Sequence, residues 1–303
     1  MSGRMLPSLA FCNDVDYSNW ATYREVHRVL SEEYGLPAED SFWLFDPRGS
    51  EMALFKKSLH EKGPRHDELL EAMAKGRLPI LHGGGNFSCS NTEVRSSRSL
   101  IGAGLAYVRE RGVMPTIWTN HGDDGDIQNI GGSAWTYQQG DDPASAAYIL
   151  DLLLQGGARF FWTDRHASND FVFSAKRSGK QPLLVKERTR SGHNITCFFR
   201  YRGALPKAPD AQTLGLQLSG VNLDRLVRTG GVTVIYQHWG VHRDQEGRPR
   251  TACEPIFPAE SLAGLRRLQQ YRDRGLIRVV PLTKLLNDCM NLSEDPRHVC
   301  EDL

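Results

Sequence analysis

The chain has 303 residues, 40% hydrophobic and 24% charged, with a formal charge of +1; that length suits one α/β barrel or two ordinary domains and excludes a mini-protein. The near-neutral balance offers no basic footprint for nucleic acid and no general attraction to anionic membranes. No stretch approaches the roughly 18 consecutive apolar residues of a membrane span. The segment from Met1 to Pro7 lacks the apolar core of a signal peptide.

Strand-like and helix-like segments alternate along the chain. The run from Ser8 to Asp16 reads as a strand closing on two carboxylates, Asp14 and Asp16. A helix is expected from about Trp20 to Glu33, with apolar residues at helical spacing and Gly35 as a stop. A short strand, Ser41 to Phe45, ends at the turn signal Asp46-Pro47-Arg48-Gly49. A helix from about His66 to Lys75 leads to the strand Leu78 to His82, and one from about Arg95 to Arg111 leads to the strand Val113 to Trp118. A helix over Pro143 to Leu154 stops at Gly156-Gly157, before the strand Phe160 to Asp164.

In the middle third, Gln181 to Lys186 and Asn194 to Arg200 read as strands around a Thr189-Arg190-Ser191-Gly192 turn. Leu223 to Arg228 reads as a short helix, and Gly230-Gly231 opens the strand Val232 to His238. A helix from Ala259 to Arg274, a strand from Ile277 to Val280 and a helix from Leu282 to Met290 complete the series. Such alternation predicts an α/β fold with a mainly parallel sheet and helices outside. A single domain over 1–292 with a polar tail at 293–303 is expected.

Several strands end on polar clusters, and in a barrel of parallel strands catalytic side chains come from the carboxyl ends of several strands. Asp14 and Asp16 share one side if the strand continues that far, although Asp and Asn also favour plain strand-end turns. His82 is followed by Gly83-Gly84-Gly85-Asn86. Three glycines leave a backbone open to ligand approach, and neutral imidazole is a common ligand for Zn²⁺; a glycine-rich turn is the plainer reading, and no Walker pattern is present.

His121 ends another strand, after Asn120. The aspartates after it, Asp123, Asp124 and Asp126, do not complete a calcium loop and read as a solvated segment. Trp162 and Asp164 end the next strand. His238, between Gln237 and Trp239, ends a strongly apolar one. The six cysteines lie far apart without a C-x-x-C pair, so neither a zinc ribbon nor a disulfide framework is expected, and reduced thiols in a cytoplasm are.

The ordered set Asn13-Asp14-Val15-Asp16, His82-x3-Asn86 and Tyr236-Gln237-His238 resembles the polysaccharide deacetylase superfamily (NodB-like, carbohydrate esterase 4), over roughly Leu9 to Leu286. It departs from that family in separating the two carboxylates by Val15 and in having Asn86 where a second metal histidine normally stands. The resemblance implies an irregular or incomplete TIM-like (β/α) barrel of the NodB type, in a branch like those accompanying bacterial surface-polysaccharide biosynthesis. It also implies a metal-dependent hydrolase that removes an acyl group, typically N-acetyl, from a sugar or polysaccharide precursor.

By that resemblance Asp14 is the catalytic base and His238 the general acid, and a divalent ion, Zn²⁺ in the first instance, is bound by Asp16, His82 and either Asn86 or His121. Trp162 or Trp239 would wall the sugar site, Asp164 would orient a catalytic group, and Arg95 or Arg98 would brace Asp14. Asp14→Ala or His238→Ala would then each abolish most turnover and leave the fold intact. Two other readings stay open: a non-catalytic glycan-binding relative, because the metal motif is broken at Asn86, and a metal-free glycoside hydrolase using Asp14, Asp16 or Asp164.

Overall fold

The computed structural model describes residues 6–87, 94–122, 126–131, 138–205, 208–240 and 255–294. In chain order the elements are β1 (Ser8–Asn13), α1 (Trp20–His27), β2 (Ser41–Phe45), β3 (Ala53–Phe55), α2 (His66–Ala74), β4 (Ile80–His82), α3 (Arg98–Glu110), β5 (Ile117–Thr119), α4 (Leu150–Gln155) and β6 (Phe160–Trp162). They continue with β7 (Ala167–Ser168), β8 (Leu184–Arg188), β9 (Asn194–Phe198), β10 (Arg200–Tyr201), α5 (Leu214–Gln217), α6 (Gly220–Thr229), β11 (Val232–Gln237), α7 (Ala259–Asp273), β12 (Arg278–Val279) and α8 (Leu282–Glu294).

The fold is mixed α/β with parallel sheets, as the alternation predicts. Among the described residues the strands pair into two sheets, and strand pairing closes no barrel. Where the sequence suggests one domain, the chain groups into two compact units. One comprises Met1–Ala38, Ser168–Val185 and Phe198–Leu303; the other comprises Glu39–Ala167 and Lys186–Cys197. Helix α8 runs past the expected start of the tail at residue 293, and residues 295–303 of that tail lie outside the described residues. Among the described residues no helix is long and apolar enough to cross a membrane.

In the first unit, β1 lies between β12 and β11, and β10 follows β11; these pairings are all parallel. β1 is buried along its whole length, which explains why it reads as a nearly continuous apolar run and not as an alternating one. Leu9, Phe11 and Ile235 join Val26 and Leu30 from the first helical segment and Leu265 and Leu268 from α7 in one apolar core. Helix starts are set by local chemistry: the Asn19 side chain accepts from the Thr22 amide at 2.8 Å, and Ser219 accepts from Asn222 at 3.4 Å. Gly230, at φ 68°, ends α6 in the left-handed conformation that glycine adopts without strain. The helix expected over Trp20 to Glu33 changes pitch, being α-helical to His27 and π-helical over Arg28–Glu33.

In the second unit the strand order is β3-β2-β4-β5-β6-β9, with β8 next to β9, and the successive pairs from β3 to β9 are parallel. Phe42, Leu44, Ile80, Ile117 and Phe161 are fully buried with Ile101 and Val108 of α3. The helix expected at Pro143 begins only at Leu150. Before it, the Gly140 carbonyl accepts from the Ile149 and Leu150 amides. Buried Asp141 is meanwhile clamped by Arg190, which donates to it from its backbone at 3.0 Å and from Nη2 at 2.7 Å. Burial opposes the Asp141 charge, but the Arg190 hydrogen bonds outweigh it and hold that carboxyl below its ordinary range.

Candidate functional site

Register brings the expected groups of the first unit together. Asn13 pairs with Gln237, so the parallel strands β1 and β11 end side by side and the residues just beyond them emerge at one sheet edge. β1 ends at Asn13, whose side chain accepts from the Trp239 amide at 2.8 Å. Asp14 and Asp16 therefore lie beyond the strand, and strand alternation does not set their directions.

Asp14 is buried and faces Arg200 of β10, which is fully buried. The guanidinium donates to both carboxylate oxygens, at 2.6 and 3.0 Å, and stands 3.9 Å from the centre of the Tyr236 ring. Burial alone would lower the Arg200 pKa, but the Asp14 carboxylate more than offsets that and holds the guanidinium above its ordinary value. The Tyr236 hydroxyl is pushed up, first by burial and then by the Asp14 charge.

Asp16 meets the other end of the cluster. Its Oδ2 is 3.3 Å from His238 Nε2, and the Tyr236 hydroxyl is 3.3 Å from the same nitrogen. Donor atoms of Asp14, Asp16 and His238 all lie within 4.8 Å of one another. The cluster thus combines two carboxylates, an imidazole, a phenol and a fixed guanidinium, the materials of acid–base chemistry.

Other candidates fall differently. Trp239 packs its ring against Phe11 at 5.9 Å and Phe257 at 5.7 Å; it is a core residue and does not form the wall expected of it. Arg98 is committed to Asp151 in a bidentate pair at 2.6 and 2.7 Å, and Arg95 is exposed. The guanidinium on Asp14 is that of Arg200, which the sequence reading passed over.

The second unit holds the remaining candidates. His82 ends β4 and is paired in register with Thr119, whose hydroxyl lies 2.8 Å from His82 Nδ1. His121 follows β5, and its Nδ1 contacts the fully buried carboxylate of Asp126. The two imidazole rings are 5.0 Å apart and edge-on, and Trp43 of β2 lies 6.2 Å from one and 5.6 Å from the other. The 126–131 segment is stitched down by Asn129, which accepts from the His121 amide at 3.1 Å and donates back to its carbonyl. Asp126 is therefore no solvated loop residue, contrary to the expectation from its Asp-rich surroundings; Asp123 and Asp124 lie outside the described residues.

Asn86 is also buried, and its amide nitrogen donates to Asp46 at 3.2 Å. Trp162 is buried in β6, and Asp164 accepts from the Gln138 amide. The glycines between His82 and Asn86 serve packing. Gly83 has φ +61°, a Cβ on Gly84 would run into Ile101, and one on Gly85 would overlap the Phe45 carbonyl, across which Gly85 bridges to β2. Because a backbone carbonyl cannot swing aside as a side chain can, Gly85→Ala is expected to destabilise the protein by about 1–3 kcal/mol. Chemical denaturation measures this, and an unchanged midpoint would refute the packing account.

The histidine pair could supply two ligands to a divalent metal. A metal-binding imidazole is normally oriented by a partner on its other ring nitrogen, and His82 and His121 both have Nδ1 engaged by an oxygen, which leaves Nε2 as donor. Trp43, Asp126 and Thr119 complete this arrangement. Of these, Thr119 and Asp126 flank His121 in the sequence, where Asp126 reads as solvated, whereas nothing in the sequence marks Trp43.

No family model matches the chain, and no curated protein matches it. The structure is similar to a solved 4-alpha-glucanotransferase from Thermococcus litoralis, with 14% sequence identity and a TM-score of 0.41. The match covers 92% of this chain and 39% of that one, so the chain spans well under half the length of that protein.

Proposed function

We propose that the chain is a metal-dependent hydrolase that removes an acyl group from an amino sugar or a polysaccharide precursor. The observation that supports this reading most is the cluster at the ends of β1 and β11, where Asp14, Asp16 and His238 converge beside a buried guanidinium. The NodB-like resemblance also singles out these three residues, with Asp14 as base, His238 as general acid and Asp16 as a metal ligand, and it implies an irregular (β/α) barrel.

In this reading Asp14, fixed by Arg200, accepts a proton from the attacking water. His238 gives a proton to the leaving nitrogen, with Asp16 and the Tyr236 hydroxyl restraining its ring. The imidazoles of His82 and His121 would hold the metal, Asn86 being turned toward Asp46. A divalent ion bound there supplies carbonyl polarisation and a more acidic water.

The test is acetate release from N-acetylated sugar oligomers, together with elemental analysis. The protein is expected to purify with bound divalent metal, to lose turnover on chelation and to regain it on readdition. The His82→Ala/His121→Ala double variant is expected to lose that metal. Full activity in exhaustively chelated, metal-free protein would overturn the reading.

A further inference from the structure

A second cluster of potential ligands lies in the second unit, among residues the proposed hydrolysis does not use. Cys197 on β9 stands in register beside Phe161 of β6, Glu187 lies on the neighbouring β8, and His166 closes the short 3₁₀ turn that follows β6. Three consecutive strands thus deliver a thiol, a carboxylate and an imidazole to one place. Their donor atoms all lie within 4.8 Å of one another, with His166 Nε2 only 3.1 Å from Glu187 Oε1. The Thr163 hydroxyl, 2.8 Å from His166 Nδ1, fixes the ring from behind, as the outer partner of a metal-bound histidine does.

We infer that His166, Glu187 and Cys197 form a binding site for a divalent transition metal of the Zn²⁺ type, separate from any metal held by His82 and His121. Sulfur, nitrogen and oxygen donors together suit a borderline ion such as Zn²⁺ or Co²⁺, and not the oxygen-seeking Mg²⁺ or Ca²⁺. Three protein donors leave one tetrahedral position for water. Access is from the Glu187 side, since that side chain is partly exposed while Cys197 and His166 are buried. Arg165, with Nη1 4.0 Å from Glu187 Oε2, borders that entrance and is itself well exposed, so it can move into solvent as a cation enters.

The rival reading of the same trio is a cysteine nucleophile with its base. The surroundings argue against it. Reactive thiols present an accessible sulfur, whereas the Cys197 side chain is fully enclosed.

Cobalt titration of the full chain tests the inference, because a Co²⁺–thiolate bond produces a near-ultraviolet charge-transfer band that nitrogen and oxygen ligands do not. The band is expected in the unaltered protein and in the His82→Ala/His121→Ala variant, and it is expected to vanish in a Cys197→Ser protein whose unfolding midpoint is unchanged. Glu187→Gln, at a position with solvent access, is expected to weaken cobalt binding by more than the roughly 10- to 100-fold that loss of an outer partner costs. No band in the unaltered protein, or a band that survives Cys197→Ser, would refute the site. Unchanged affinity in Glu187→Gln would refute the three-donor set. A band that is lost with Cys197→Ser reports on Cys197 and not on His82 or His121, so these outcomes stand apart from success or failure of the hydrolase reading.

Discussion

Arg200→Ala is expected to destabilise the first unit by about 3–5 kcal/mol, the cost of leaving one partner of a buried ion pair without the other. Arg200 is fully buried and Asp14 nearly so, and both carboxylate oxygens accept from the guanidinium. Removing the cation strands a carboxylate that water cannot reach, and it also takes away the face on which Tyr236 rests. The same logic separates charge from volume. An Arg200→Met/Asp14→Leu double variant removes both charges and is expected to recover much of the loss, since apolar replacement of a whole buried pair is often neutral or stabilising. Denaturant unfolding of the three proteins measures this. A single variant within about 1 kcal/mol of the parent would mean that the pair is solvated after all.

This changes what the most direct test of catalysis can mean. Asp14→Ala leaves Arg200 buried and unpaired, so loss of activity in that variant would not separate chemistry from folding. His238 offers the cleaner test. His238→Asn keeps a hydrogen-bonding group beside Asp16 and Tyr236 while removing the titrating ring. Loss of a general acid typically costs about 10²- to 10⁴-fold in rate. On a substrate that the unaltered protein deacylates, kcat is expected to fall by that much with KM little changed, at an unaltered unfolding midpoint. Near-parental turnover would remove His238 from the mechanism. Asp14→Asn, which preserves shape, is expected to lose turnover to a similar extent, and its unfolding curve reports separately on the lost pairing with Arg200.

What could be read in the sequence followed from local rules. β1 and β11 are apolar runs bounded by polar or glycine signals, and strand ends are where side chains with chemistry collect, so Asp14, Asp16 and His238 stood out. Arg200 did not. An arginine in a two-residue strand looks like any surface cation until the β10–β11 pairing buries it against a carboxylate 186 residues away. Trp43 looked like an ordinary strand aromatic, because nothing in Ser41–Phe45 marks the face turned to His82 and His121. Asp126 was misjudged for a different reason. Composition around Asp123 to Asp126 signals solvation, whereas the Asn129 clamp on the His121 backbone draws that one carboxylate inside. The late start of α4 has a similar origin, since Asp141 and Arg190 are far apart in sequence and their pairing overrides local helix preference.

The pairing of β1 with β11 also bears on how the protein is made. Residues Ser8–Asn13 leave the ribosome well before the neighbours that cover their edges, Val232–Gln237 and Arg278–Val279. At roughly 5–20 residues per second the interval before β11 emerges is on the order of 10–45 s. Glu39–Ala167, by contrast, supplies most of the other unit as one continuous stretch. β1 is thus synthesised well before the strands that cover its two edges. Throughout that interval an apolar hexapeptide with both edges open is exposed to chaperones and to neighbouring nascent chains.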